Sequence, residues 1–465
     1  MNNGILDLNQ GFPVAYWLRL NLLRCNTMNL KKDKKLIEYP EKLVIEPTTR
    51  CNFNCKMCVK QSNGCQIAEG DLNQTIFSKC EPLLPHLKTI IFTGIGEPLL
   101  NKDLEEFVSK AKQEMPENSI RGFQTNGKLL TDERAVSLVK SGVNKICISM
   151  DSVQPALFDS VRNGGQLSDV DIAFNALNLA KEKVPESDLS IGIEFVLMKK
   201  NMDELPLVIN YAYNKAVDFV IVTHLTAYDK EMEDQIIYLD NSFEALELFE
   251  EYRTRAIEND IDLTLYNKIL WKVNKSEKDV EIYKLIAALK DEALDKGLYL
   301  NLYHLLIEVI EGPDKYNRIK GIFDTAEIKA KEYGIDLILP EIRPKTDREC
   351  KFVEDHTIFV TWDGYVSPCY FLWHKYETMR NGYVKEVSPH YFGNVSESSS
   401  VNRWNDEEFK LFRQRVKEYD YPNCHAWCET RCDYALVEPF YQDCYINEVP
   451  CGDCYWSLGL LNCLI

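Results

Sequence analysis

Nowhere in the chain do about 18 uncharged apolar residues follow one another, the length a helix needs to cross a bilayer, so no membrane span is expected. Positive charge is also scarce. Lysine and arginine total 54 against 72 aspartates and glutamates, giving a formal net charge of -18. Nucleic-acid backbones are bound by neutralising their phosphates with Lys and Arg, so nucleic acid is not an expected partner. A secretory pattern is missing as well: Met1 to Gln10 is polar, and Arg19 and Arg24 interrupt the first apolar segment. The expectation is a cytoplasmic, reducing compartment. Disulfides are not needed either, because 465 residues suffice for two or three domains, each with its own core. Against these absences stand 16 cysteines, most of them in two groups. Thiols clustered in a reducing compartment read as metal ligands.

The first group is Cys51, Cys55 and Cys58, spaced Cys-x3-Cys-x2-Cys directly after the apolar run from Lys42 to Glu46. Three thiolates on one short loop can hold three irons of a [4Fe-4S] cube and leave the fourth without a protein ligand. A zinc site is the alternative. Zinc sites usually combine Cys pairs with further Cys or His into a closed tetrahedron, and no His lies between Arg50 and His86. At these residues the chain resembles the radical S-adenosylmethionine (radical SAM) superfamily. The resemblance implies that the open iron chelates the methionine moiety of S-adenosylmethionine.

A second anchor follows at Thr93-Gly94-Ile95-Gly96-Glu97-Pro98. Two glycines at a strand end let backbone approach a ligand without a Cβ in the way, and Glu97 adds an acceptor for an ammonium group. Gly94-Ile95-Gly96-Glu97 is similar to the Gly-Gly-Glu motif with which the superfamily binds the methionyl amine. By position, the same resemblance implies cofactor contacts at Asn126, Ser149, Asp151 and Glu194, on the third to fifth strands or at their ends. Strand-end caps or turns are the ordinary alternative at these positions.

Six short strand-like runs, at 43–45, 89–92, 120–123, 145–148, 191–196 and 219–222, alternate with helical patterns such as 104–114, 132–140 and 172–183. Such βα units predict an α/β fold with a parallel sheet. Six of them imply the partial (β/α)6 TIM-like barrel of the family, with ligands at the carboxyl ends of the strands. The expected division is a leader at 1–41, a core barrel at 42–225, a helical insertion at 226–343 and a cysteine-rich domain at 344–465. Val14 to Met28 in the leader predicts a short buried helix through Trp17, Leu20, Leu22 and Leu23. In the insertion, Asn241 with Glu244 predicts a capping-box helix start, and Gly334 a helix stop.

The second group comprises Cys350, Cys369, Cys424, Cys428, Cys432, Cys444, Cys451, Cys454 and Cys463. Two [4Fe-4S] clusters need eight thiolates, so nine leave one over. The opening Cys350-x13-Gly364-x4-Cys369 resembles a SPASM domain, the auxiliary-cluster extension of radical SAM proteins. The later spacing, Cys424-x3-Cys428-x3-Cys432-x11-Cys444, departs from the SPASM pattern, so the ligands are not partitioned between clusters by sequence. Cys451-x2-Cys454 alone would also fit half of a zinc site. Cys25, Cys65, Cys80 and Cys147 are scattered and read as core or surface thiols. The segment from Cys451 to Cys463, with Gly94 to Leu99, is similar to SPASM maturases associated with tungsten-cofactor oxidoreductases.

The resemblance implies an enzyme that reductively cleaves S-adenosylmethionine to a 5'-deoxyadenosyl radical and modifies a peptide, a protein or a protein cofactor. It also implies one cluster bound with S-adenosylmethionine, two auxiliary clusters and a reductant such as ferredoxin or flavodoxin. The rival readings are a radical SAM enzyme of small metabolites and a non-catalytic iron-sulfur electron carrier. Gly94 to Glu97 argues against the carrier, which has no use for a methionine-binding strand end.

Overall fold

The computed structural model describes residues 37–62, 65–419, 421 and 447–464. The leader segment from Val14 to Met28, and Cys424, Cys428, Cys432 and Cys444, lie outside the described residues.

Alternation along short strands decides the architecture. The first six are β1 (Lys42–Ile45), β2 (Thr89–Phe92), β3 (Ile120–Thr125), β4 (Lys145–Ser149), β5 (Ser190–Leu197) and β6 (Phe219–His224). Successive side chains of a strand point to opposite faces, and here both faces are covered. Leu43, Ile90, Phe123, Ile146, Ile191 and Val220 pack into one apolar cluster with the helices outside the sheet. Val44, Ile91, Cys147 and Ile221 pack into a second cluster on the inner face. Parallel sheets are buried in this way because their crossover helices lie on the faces.

Five further strands were not expected from the sequence: β7 (Asp336–Ile338), β8 (Thr357–Val360) and β9 (Val366–Ser367) join the same sheet, and β10 (Tyr376–Arg380) and β11 (Tyr383–Val387) form an antiparallel pair of their own. The sheet has nine strands in the order β7-β6-β5-β4-β3-β2-β1-β8-β9. Every pairing from β7 to β8 is parallel, and β9 alone is antiparallel. β7 is too short and too exposed to show an alternation. β8 belongs to the cysteine-rich segment in sequence, yet pairs with β1. Its register sets Val360, Ile45 and Phe92 side by side, so the carboxyl ends of three strands meet at one rim.

Helices Leu104–Glu114, Asp132–Ser141, Leu167–Lys183 and Leu205–Asn214 cover the outer face. The third begins at Leu167 and not at Ile172, because Gln166 and Asp169 form a capping box. Helices Phe243–Glu258, Glu277–Asp295 and Leu302–Glu311 close around a core of their own, with Leu248, Phe249, Ile282, Ile286 and Leu305 inside. The following helix, Asp314–Tyr333, leaves that core and returns Ile319, Phe323 and Ala326 to the outer cluster of the sheet. It ends as expected at Gly334, whose φ of 70° is the left-handed cap.

The expected helix start at Asn241 is corrected by one residue. Ser242 is the cap, its side chain accepting from Ala245 N at 3.2 Å. Asn241 instead pairs through its amide with the backbone of Asn301, at 2.7 and 3.1 Å. Both residue types cap helices, and only the tertiary contact selects between them. Among the described residues, no helix is long and apolar enough to cross a membrane.

Candidate active site

The loop carrying Cys51, Cys55 and Cys58 leaves the carboxyl end of β1 and is fastened on two sides by backbone hydrogen bonds. On one side, Gly96 N donates to Thr48 O (3.2 Å) and Glu97 N to Arg50 O (2.8 Å). On the other, Asn54 N donates to Asn163 O (2.7 Å) and Lys56 N to Val161 O (3.1 Å). Within the loop, Cys58 N donates to Cys55 O, and Phe53 N points at the Cys51 sulfur at 3.4 Å. Three thiols are thereby presented on one wall of a cavity of about 260 Å³. Gly94, Gly96, Glu97, Asn126, Ser149 and Glu194 line the same cavity.

The two glycines also have a task within the fold. A Cβ on Gly96 would lie 2.4 Å from the carbonyl oxygens of both Thr48 and Arg50, and one on Gly94 would lie 2.4 Å from Cγ of Glu46. The missing side chains let the end of β2 press against the segment that leads into Cys51. They serve the seating of the loop.

Glu97 is engaged too. It accepts from Leu99 N (3.1 Å), Thr125 Oγ1 (2.7 Å) and Asn126 N (2.8 Å), which ties the end of β2 to the end of β3. Asn126 donates from its amide to Asn52 Oδ1 at 2.7 Å, and Ser149 accepts from Gln124 at 3.2 Å. Asp151 is not in the cavity wall. It is fully buried, 2.6 Å from Nε of Arg162, and accepts from Val196 N at 2.8 Å. Glu194 is 7 % exposed and lines the cavity, with no hydrogen-bond partner for its carboxylate among the described residues.

Arg162 is a wall residue that the sequence reading missed. Its signal was the turn Asn163-Gly164-Gly165 that follows, where a Cβ on Gly165 would strike the Phe53 ring at 2.3 Å. Glu46 was missed as well. At the end of β1 it is wholly buried, accepts from Ile95 N at 3.2 Å and meets His374 Nε2 at 3.1 Å through both oxygens. That contact joins the cysteine-rich region to the rim of the sheet.

Burial sets the charge states. It pushes the Cys58 thiol up to about 11, and it raises Cys51 and Cys55 as well. It lifts the Glu194 carboxyl to about 7, with Arg162 opposing and Asp151 adding to the rise. Burial raises Glu97 also, against the hydrogen bonds from Asn126, Thr125 and Leu99. For Arg162, burial disfavours the charge, but Asp151, Cys55 and Glu194 together outweigh it and the guanidinium is held protonated.

Four thiols of the second group come together. Burial is the main cause that raises Cys350, Cys369 and Cys451, and in each the next is the charge of another member of the set that includes Cys454. Cys350 reaches about 12. No three His, Cys, Asp or Glu side chains among the described residues converge on a point as the ligands of one metal ion do. A metal group held by either set has to span the distance between its thiols. Cys463 packs against the same apolar cluster as these thiols, while Cys80 and Cys147 are buried in the two cores.

The model of the radical SAM superfamily matches residues 45–212, and that of the SPASM iron-sulfur cluster-binding domain matches residues 350–433. The tungsten-containing aldehyde ferredoxin oxidoreductase cofactor-modifying protein of Pyrococcus furiosus is 30% identical over 429 residues, covering 91% of this chain and 97% of that protein. The Fe-coproporphyrin III synthase of Methanosarcina barkeri is 24% identical over 50% of this chain and 55% of its own. Among solved structures, Streptococcus suis SuiB bound to precursor peptide SuiA is 14% identical, with a TM-score of 0.44, over 93% of this chain and 79% of that one. The thiol loop at the rim of a parallel sheet, the matching domain models and a relative alike over nearly its whole length place this chain in the radical SAM superfamily, as an enzyme with a C-terminal SPASM domain.

Proposed function

We propose that this enzyme reductively cleaves S-adenosylmethionine and modifies the cofactor of a metal-dependent oxidoreductase, or the protein that carries it. The observation that carries the reading is the likeness to a cofactor-modifying protein across 91% of this chain and 97% of that protein's length. A likeness confined to the barrel would speak only for the shared radical chemistry.

The donor set fits the group the family uses. Three thiols on one loop leave one iron of a [4Fe-4S] cube open, and the glycines at 94 and 96 keep the loop seated beside the cavity. A cluster held there by Cys51, Cys55 and Cys58 would supply the one-electron chemistry for reductive cleavage of S-adenosylmethionine. The protein's own share is placement. Asn126 holds the loop through Asn52, Glu97 locks two strand ends together, and Glu194 offers an unshared carboxylate to a hydrogen-bond donor. Cys350, Cys369, Cys451 and Cys454 are assigned as the ligands of one auxiliary cluster, with a second held by cysteines outside the described residues. A ferredoxin- or flavodoxin-type reductant and a cytoplasmic location complete the proposal.

The test is anaerobic incubation of the reconstituted enzyme with reductant, S-adenosylmethionine and the cofactor extracted from a tungsten-containing aldehyde ferredoxin oxidoreductase, read by mass spectrometry. The expected result is 5'-deoxyadenosine together with a mass change in the cofactor. Abundant 5'-deoxyadenosine with the cofactor unaltered, and a genome-neighbouring peptide or a small metabolite altered instead, would overturn the substrate assignment.

A further inference from the structure

The loop that carries Cys51, Cys55 and Cys58 is held at both ends by one short stretch of the cysteine-rich region, 315 to 328 residues later in the chain. At the entry stands Glu46, wholly buried at the end of β1. Both its oxygens meet Nε2 of His374 at 3.1 Å, and one of them also accepts from Ile95 N at 3.2 Å. At the exit stands Ser62, shortly after Cys58. Its hydroxyl donates to Glu377 O at 2.9 Å and accepts from Glu377 N at 2.8 Å. His374 and Glu377 lie together just downstream of Cys369.

A third contact backs the entry. Gly70 accepts from Thr49 N at 3.1 Å and donates to Thr49 Oγ1 at 2.9 Å. The ring of Trp362, from the same region as His374, lies so close behind Gly70 that a Cβ there would fall 2.2 Å from it. Glu46 has no lysine or arginine partner among the described residues, so His374 and Ile95 N are what satisfy its buried carboxylate. A satisfied polar network of this kind fixes one arrangement of the segments that share it. Ile95 belongs to the wall of the cavity, beside Gly94, Gly96 and Glu97. The bonds of the loop to Gly96, Glu97, Asn163 and Val161 secure its body, and those of Glu46 and Ser62 secure its ends.

We propose that Glu46, His374 and Ser62 are positioning residues of the radical site: the cysteine-rich region clamps both ends of the thiol loop and so sets the three thiols against the cavity wall at Gly94 to Glu97. The region acts here through its protein contacts, whatever its own thiols hold. Reacting groups have to be kept within about 0.5 Å of their working geometry by the residues that support them. The inference rests on the proposed cleavage of S-adenosylmethionine, but not on the identity of the substrate.

The test compares His374→Gln, His374→Leu and Ser62→Ala in the anaerobically reconstituted full-length enzyme. Glutamine keeps an N–H donor for Glu46, whereas leucine keeps only bulk. Two quantities are read: S-adenosylmethionine affinity, from its perturbation of the electron paramagnetic resonance signal of the reduced enzyme, and deuterium exchange at the amides of residues 51–61. His374→Leu and Ser62→Ala are expected to bind about tenfold more weakly and to exchange faster across the loop. His374→Gln is expected to stay within about threefold of the parent. Lys42→Met is the control, because it breaks another contact between β1 and the cysteine-rich region, Lys42 Nζ to Asp355 at 2.9 Å, at the opposite end of the strand. It should change neither reading. Parental behaviour of His374→Leu, failure of His374→Gln as severe as that of leucine, or an equal effect of Lys42→Met overturns the clamp. A variant that loses iron is judged on exchange alone, and if His374→Leu does not fold, Ser62→Ala decides: parental affinity and exchange in it overturn the clamp. An enzyme that cleaved S-adenosylmethionine but altered no oxidoreductase cofactor would defeat the proposed substrate and leave the clamp standing.

Discussion

Replacing Gly96 with alanine tests how the site is built, because it adds one carbon at the contact between the second strand and the thiol loop. The new Cβ would sit 2.4 Å from the carbonyl oxygens of Thr48 and Arg50 and 2.8 Å from the carbonyl carbon of Thr49. These are backbone atoms of the segment that leads into Cys51, so no rotamer change relieves the clash. Overpacking of this kind costs about 1–3 kcal/mol. Moving the two segments apart also stretches the hydrogen bonds Gly96 N to Thr48 O (3.2 Å) and Glu97 N to Arg50 O (2.8 Å). Each of these contributes about 1 kcal/mol, so the expected destabilisation is about 3–5 kcal/mol, concentrated at the loop. Iron per chain after anaerobic reconstitution and the unfolding midpoint in guanidinium are the measurements. Gly96→Ala is expected to lose about four irons. Gly321→Ala is the control, since nothing lies within 4 Å of a Cβ at that helical position. It should stabilise by about 0.5–1 kcal/mol. A Gly96→Ala enzyme with full iron and parental stability, but weakened S-adenosylmethionine binding, would refute the seating argument and restore ligand approach as the reason for the glycine.

Two further outcomes follow from buried charges. Arg162→Met strands the wholly buried Asp151, 2.6 Å away in the parent, and should cost about 3–5 kcal/mol. Adding Asp151→Asn should recover much of that loss in a double-mutant cycle, and strict additivity would show that the pair is uncoupled. Burial depresses the His224 imidazole to about 4 from an ordinary value of 6.5. Between those values the unfolded chain binds more protons than the folded one, so stability rises with pH and is lost as the pH falls from about 6.5 towards 4. From pH 7.5 to 5 this amounts to about 2 kcal/mol. Denaturation of His224→Asn beside the parent at the two pH values should show that much less acid sensitivity, and identical sensitivity would exclude His224 as its source.

The sequence by itself determined what is local. The spacing of Cys51, Cys55 and Cys58 is a property of eight consecutive residues, and a ligand set on one loop has its chemistry whatever the rest of the chain does. The first six strands were legible for a related reason: runs of buried β-branched and aromatic residues impose their conformation over four to eight positions. Gly334 likewise stopped its helix where expected, since a left-handed cap is a single-residue matter.

Only the tertiary structure decided what depends on partners far away in the chain. β8 is a strand because β1 lies beside it, and Glu46 is held by a histidine 328 residues later. Neither leaves a local trace. Asp151 was read as a cofactor contact because it ends a strand, yet the fold turns it towards Arg162. The glycines of Gly94-Ile95-Gly96 were recognisable in the sequence, but the neighbours that crowd them, the Glu46 side chain at Gly94 and the backbone of Thr48 and Arg50 at Gly96, were not. The meeting of Cys350, Cys369, Cys451 and Cys454 on one apolar cluster is likewise a matter of chain path, which brings together residues far apart in sequence. Sequence separation measures the chain and not the space it folds into, so spacing alone can count thiols but cannot assign them.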